Sequence, residues 1–301
     1  CRVSMKKSVR VILLLSLLVE SVSAFGNSGT STNDAATTGD QTNVEANVTY
    51  RNDGRLDARD VNALFAGSIP SFRHTDRFYS RGNGSRTCRS DWNRVRSLPV
   101  QKKTVSVGFR VLKQSAANAG LSESKLRRIL ATFLSNQSEI PNQDYISVID
   151  FDKSSSRKRM FIINLRNGTV TSHKVAHGSG SGGRAAVPTR FSNANGTHAS
   201  SLGCSLATFN TDTRGRRLKD GHGRHKLLFQ GLESTNDQQC NRAIIMHPAT
   251  YVSGGGRSHG CPAVTPEDKQ SIYNKISGGG LVCAYRDGNS TTTRQRVEAE
   301  H

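Results

Sequence analysis

A mainly β domain with peripheral helices is the fold class that this sequence of 301 residues predicts. Three observations lead there. Short runs rich in β-branched and aromatic residues recur from residue 145 onward, an Asn-Gly pair joins two of them, and helical signatures are few. Before residue 104 the chain is dominated by Asn, Ser, Thr, Gly, Asp and Arg, so the ordered domain is expected at 104–286, with a flexible basic linker at 25–103 and a disordered tail at 287–301.

The elements follow in order. Leu121 to Leu134 repeats Leu126, Ile129, Leu130, Phe133 and Leu134 at helical spacing, which predicts an amphipathic helix. Tyr145 to Phe151 (YISVIDF) and Arg159 to Leu165 (RMFIINL) read as strands, and Asn167-Gly168 turns the second into Thr169 to Val175. Ala243 to Met246 and Leu281 to Tyr285 supply two more strands. Thr265-Pro266-Glu267-Asp268 combines an N-cap, a first-turn proline and acids, so a helix starts there and Gly278 to Gly280 ends it. Within the linker only Asp57 to Phe65 has a weak helical pattern, and there is no internal repeat.

The N-terminal residues point to export. Met5 to Arg10 carries Lys6, Lys7 and Arg10, Val11 to Val19 is apolar, and Val22-Ser23-Ala24 offers small residues for cleavage. Residues 1–24 therefore read as a signal peptide, with Cys1 to Ser4 ahead of the expected initiator Met5 and not counted as native. The apolar run is shorter than the roughly 20 residues of a membrane span, so no transmembrane anchor is expected after cleavage. Forty-two Lys and Arg against 23 Asp and Glu give a formal charge of +19, which favours polyanionic surroundings. Export removes nucleic acid from the expected partners and leaves an anionic cell envelope, met through the basic linker; the expected location is the periplasm or the extracellular cell wall.

Cysteine chemistry narrows the function. Cys88, Cys204, Cys240, Cys261 and Cys283 remain after cleavage, an odd number in an oxidising compartment, so at least one thiol stays free. The other four allow up to two disulfides in three connectivities, and buried reduced cysteines are an equal alternative. Cys261 is the candidate nucleophile. His247 ends the apolar strand, and the glycine-rich loop Pro248 to Gly260 lets the chain fold back so that imidazole and thiol meet. Gly260 permits close approach of a substrate backbone and frees local amides for an oxyanion. A helix starting near Pro266 is expected to lower the thiol pKa through its dipole. Two other readings use the same residues: Cys261 as a small core residue with His247 and His259 in structural hydrogen bonds, or a zinc site of His247, His259 and Cys261, whose spacing matches no compact zinc motif.

Ser258-His259-Gly260-Cys261 preceded by His247 resembles the signature of the L,D-transpeptidase (YkuD-type) catalytic domain, and further blocks resemble its murein L,D-transpeptidase branch. These are Val148 to Phe151, Val175 to Gly178, Phe191 to Asn193, Ser200 to Gly203, Gly231 to Glu233, Asn241 to Ala243, His247 through Val252 and Gly256 through Val264. The resemblance implies a β-sandwich or barrel-type catalytic domain acting on peptidoglycan stem peptides without metal or organic cofactor. It implies that Cys261 attacks, that His247 is the base, that amides near Gly260 and Cys261 hold the oxyanion, and that His259 shapes the site or binds substrate. Arg257 is expected to steady a substrate carboxylate, Ser258 an imidazole, and His177 either to join the substrate loop or to hydrogen-bond within a turn. The acyl-enzyme would pass to an amine, or to water in an L,D-carboxypeptidase; a wall-binding protein without turnover is the rival from another class. Two departures from the family pattern bear on substrate detail: a short loop between His247 and Ser258, and Pro262-Ala263 after the cysteine. Cys204 stands in place of an aromatic residue and is expected to be a local disulfide partner.

Overall fold

Ten strands and three helices longer than a single turn order the chain in a computed structural model that describes residues 56–72, 93–100, 103, 105–209, 225–288 and 291–293. All of these belong to one structural unit, 46–301. The expected signal segment, 1–24, lies outside the described residues.

The main sheet has eight strands in the order β3-β2-β1-β9-β5-β6-β7-β8. They are β1 (Asn142–Asp150), β2 (Met160–Asn164), β3 (Val170–His173), β5 (Gly203–Phe209), β6 (Leu227–Gly231), β7 (Ile245–Pro248), β8 (Ala263–Val264) and β9 (Gly280–Tyr285). Just beyond β3, Val175 bridges Val264 of β8, and the Ala176 N–H donates to the Ala263 carbonyl at 2.8 Å. The two edges therefore meet, and the sheet is nearly closed into a barrel, which bears out the expected mainly β fold. Closure removes the open edges that would otherwise template aggregation.

The hairpin forms where Asn-Gly places it: Gly168 takes φ 75°, a left-handed conformation that costs glycine little, and Tyr145 pairs with Asn164 while Ile163 pairs with Val170. Side chains then alternate. Ile146, Val148, Phe161, Ile163, Leu281 and Cys283 enter one core, while Ile149, Met160, Ile162 and Val282 enter a second on the opposite face. Cys204 and Cys283 face each other across β5 and β9 and form a disulfide, as Cys204 was expected to do.

Helix α1 (Phe109–Ala119) and α2 (Glu123–Ser135) cover the first face. In α2, Leu126, Ile129, Leu130 and Phe133 are buried at i, i+3, i+4 and i+7, the expected stripe. The α1 helix was not foreseen; Phe109, Leu112 and Ala116 hold it down, and Gly120 at φ 90° ends it with the Leu121 N–H donating to the Ala116 carbonyl at 2.8 Å. The third helix, α3 (Lys269–Ile276), buries Ile272, Tyr273 and Ile276 in the second core. The Thr265 hydroxyl accepts the Asp268 N–H at 3.3 Å, so Thr265 caps the entry as its residue type suggests. No helix among the described residues is long and apolar enough to cross a membrane.

Two boundaries shift. Inside the stretch expected as a flexible linker, Leu56, Leu64, Phe72 and Val95 are buried in the same core as α2, and the turn at Asp57 is closed by a capping box with Asp60. In the stretch expected as a disordered tail, β10 (Thr291–Thr293) pairs in parallel with β4 (Arg190–Ser192). Isolated apolar residues in polar sequence carry little periodic signal, yet each fills a gap in a close-packed interior.

Candidate active site

Cys261 is the one free cysteine among the described residues. Cys204 and Cys283 are joined, and Cys240 is also disulfide-bonded. The thiol is half-buried just before β8, where its Sγ faces the Ala243 carbonyl at 3.9 Å and the Ile245 backbone. Since β7 and β8 run in parallel with His247 opposite Ala263, the thiol meets β7 near Ile245 and His247 follows two residues along, on the same strand face as Ile245. His247 Nδ1 lies 3.3 Å from the Pro248 carbonyl. The fold thus sets Cys261, in the loop before β8, against the strand that carries His247.

Two segments grip the loop that carries Cys261. The 175–179 segment runs beside it, with the Ser258 N–H donating to the His177 carbonyl at 3.1 Å and the Ser179 N–H to the Ser258 carbonyl at 2.8 Å. The Ser200 hydroxyl accepts the Gly178 N–H at 3.0 Å and donates to the Gly260 carbonyl at 3.4 Å. At Gly260, with φ 108°, a Cβ would stand 2.9 Å from the Ala199 carbonyl oxygen, so both conformation and space require glycine. At Gly178 a Cβ would stand 2.1 Å from the His198 carbonyl oxygen.

Several expected roles change. Ser258 does not steady an imidazole: its hydroxyl donates to the Cys261 carbonyl at 2.6 Å and accepts the Gly260 N–H at 3.2 Å, closing the loop on itself. That engages the Gly260 amide within the loop. Arg257 does not face a substrate carboxylate either. Its guanidinium donates to the carbonyls of Gly183, Arg184 and Ala185 at 3.2, 3.2 and 2.5 Å and to the Ser155 hydroxyl, clamping that loop. His259 is exposed, its ring stacked on His198 with centroids 4.3 Å apart.

His177 is fully buried, which matches the turn role and not a place against substrate. Its Nδ1 lies 2.8 Å from Arg159 Nη2, a group that only donates, so Nδ1 accepts and the proton sits on Nε2. Burial, then the charges of Arg159 and Arg257, push its pKa down to about 3. Arg159 is itself completely buried, held by the Val175 carbonyl at 3.0 and 2.8 Å and by the Lys153 carbonyl at 3.0 Å, and burial and Arg257 push its pKa down to about 9. This residue was missed in the sequence; its one signal is a charge opening an otherwise apolar strand.

The electrostatics also differ from expectation. Burial pushes the Cys261 thiol up, against the opposing pull of the Ile245 backbone, Arg242 and Lys226. Helix α3 starts eight residues beyond Cys261, so its dipole does not govern the thiol, as such effects fade within a turn. Arg242, also missed, donates to the Ala199 and Ser192 carbonyls at 2.6 and 2.7 Å and to the Ser201 hydroxyl at 2.7 Å. Every one of these partners is neutral, so its positive charge stays available to the sulfur. Among the described residues no three His, Cys, Asp or Glu side chains are gathered in a metal-holding arrangement.

Cys261, just before β8, and His247, on β7, lie at one edge of the nearly closed sheet. The L,D-transpeptidase catalytic domain family matches residues 117–285, more than half of the chain, and the chain belongs to that family. No curated protein matches. Among solved structures, an L,D-transpeptidase from Mycobacterium smegmatis is similar at 15% identity and a TM-score of 0.29, over 48% of this chain and 59% of its own. The L,D-transpeptidase (residues 123-326) from Xylanimonas cellulosilytica DSM 15894 is similar at 15% identity and a TM-score of 0.26, over 58% and 77%. The chain thus spans less than two thirds of the first of these.

Proposed function

We propose that the protein is an exported cysteine acyltransferase of peptidoglycan, an L,D-transpeptidase, with Cys261 as nucleophile and His247 as base. The observation that carries this reading is the Cys261 thiol, the one free cysteine among the described residues, set beside strand β7, which carries His247, within a chain of this family. A thiol whose pKa is raised needs a base to attack at neutral pH, and an imidazole is the fitting acceptor. Sγ bonds to the carbonyl carbon of a stem tetrapeptide, the Cys261 N–H receives the oxyanion, and the amide C–N bond breaks as the leaving amine takes the proton from His247. An incoming amine then loses its proton to His247, attacks the thioester, and the sulfur leaves to be reprotonated. The surplus of positive charge holds the enzyme near the anionic envelope.

The test is intact-protein mass spectrometry after incubation with a stem tetrapeptide. One thioester adduct is expected on the peptide containing Cys261, absent in Cys261→Ala, and formed about 10²–10⁴-fold more slowly in His247→Ala. No adduct in the native protein, or an unchanged one in Cys261→Ala, would return the wall-binding scaffold to first place.

A further inference from the structure

An open cavity of about 480 Å³ lies against the base, its wall formed by His247, Thr250, Tyr251, Pro266 and Lys269 among others, and Cys261 is not part of that wall. Its volume falls in the range of small-molecule sites, about 300–1,000 Å³. Two features mark it as a place for an anion. Lys269 is half-buried, and among the described residues no carboxylate lies within ion-pair distance of it; the neighbouring Asp268 is instead 3.1 Å from His173. Lys269 also opens helix α3, the helix end at which a cation is disfavoured, so local structure gives no reason for a lysine there.

The reaction supplies a reason. In the second half of acyl transfer the incoming amine must give its proton to the imidazole, so it has to arrive beside His247. A cavity that includes His247 but not the sulfur has that placement. Water would need no chamber of this size, and a lysine on its wall would serve no purpose for water.

We propose that this cavity is the acceptor subsite and that Lys269 pairs with the carboxylate of an amino-acid or peptide acceptor whose amine receives the acyl group. The inference rests on the acyltransferase reading above. The acceptor nitrogen bonds to the thioester carbon, the C–S bond breaks, and the nitrogen's proton passes through His247 to the departing thiolate. Lys269 determines specificity and takes no part in proton transfer.

The experiment compares glycine with glycinamide as acceptors for a stem tetrapeptide donor, in the native enzyme, Lys269→Met and Lys269→Arg. Lys269→Met should raise KM for glycine about tenfold, the value of one charge-assisted pair, with kcat within about twofold and KM for glycinamide unchanged. Lys269→Arg, which keeps the charge, should restore glycine binding. Equal KM values for glycine in all three proteins would overturn the assignment. So would hydrolysis without amine product in the native enzyme, which leaves Cys261 acylation standing and makes the protein a carboxypeptidase. Absence of any acyl-enzyme would instead remove the parent reading, and the subsite with it.

Discussion

Cys261 and His177 show how burial sets chemistry one side chain at a time. Cys261 is a thiol held above its ordinary pKa by burial, with Arg242 and Lys226 pulling the other way. The pH profile of its alkylation by iodoacetamide should therefore have a midpoint above that of a free thiol, and Arg242→Met should move it higher still, because a positive neighbour is removed. A midpoint unmoved by that change would show that Arg242 only props the backbone. His177 illustrates the reverse case. Its folded pKa of about 3 lies below the ordinary 6.5, so the unfolded chain binds a proton that the folded one refuses as pH falls through that window. Stability contributed by keeping it neutral is thus full above pH 6.5 and lost toward pH 3, about 2 kcal/mol between pH 7 and 5 by linkage. Chemical denaturation at those two pH values checks it, with His177→Gln expected to lose less between them.

At the scale of elements, the site depends on backbone segments that touch without side chains between them. Gly178 has φ −68°, open to any residue, so a substitution there is opposed by sterics alone. Gly178→Ala should push the 175–179 segment off the Cys261 loop, costing about 1–3 kcal/mol or more and, on the proposed function, most of the rate of Cys261 acylation; thermal melting and adduct formation measure the two. Strands β1, β2 and β9, the Asn-Gly hairpin and helix α2 were legible because their apolar residues repeat at the period of their structure. The β5 run Gly203 to Phe209 and the buried face of α1 were not, since small and polar residues interrupt both. In the site, Cys261 and His247 announced themselves by residue type and spacing. Arg159, Arg242 and the actual work of Ser258 and Arg257 depend on carbonyls brought in from distant segments, which no local pattern encodes. The buried Lys125 is similar: it joins α2 to Asp152 at 2.8 Å and Asp287 at 2.7 Å, residues far apart in sequence.

For the whole molecule, the strand order has a temporal side. The centre of the sheet is β9, which pairs in parallel with β1 and antiparallel with β5, yet it is made after the seven other strands of that sheet. Until residue 285 has been synthesised, β1 and β5 each lack a neighbour and the Cys204–Cys283 bond has no second sulfur. A chain emerging N-terminus first therefore holds a split sheet, and the pairing of β1 with β9 carries a large sequence separation, which slows folding. A version ending at Gly279 should show no cooperative thermal transition, even though it retains both Cys261 and His247. Productive folding must then wait for β9, and whatever carries the nascent protein has to shield two apolar strand edges until that strand arrives.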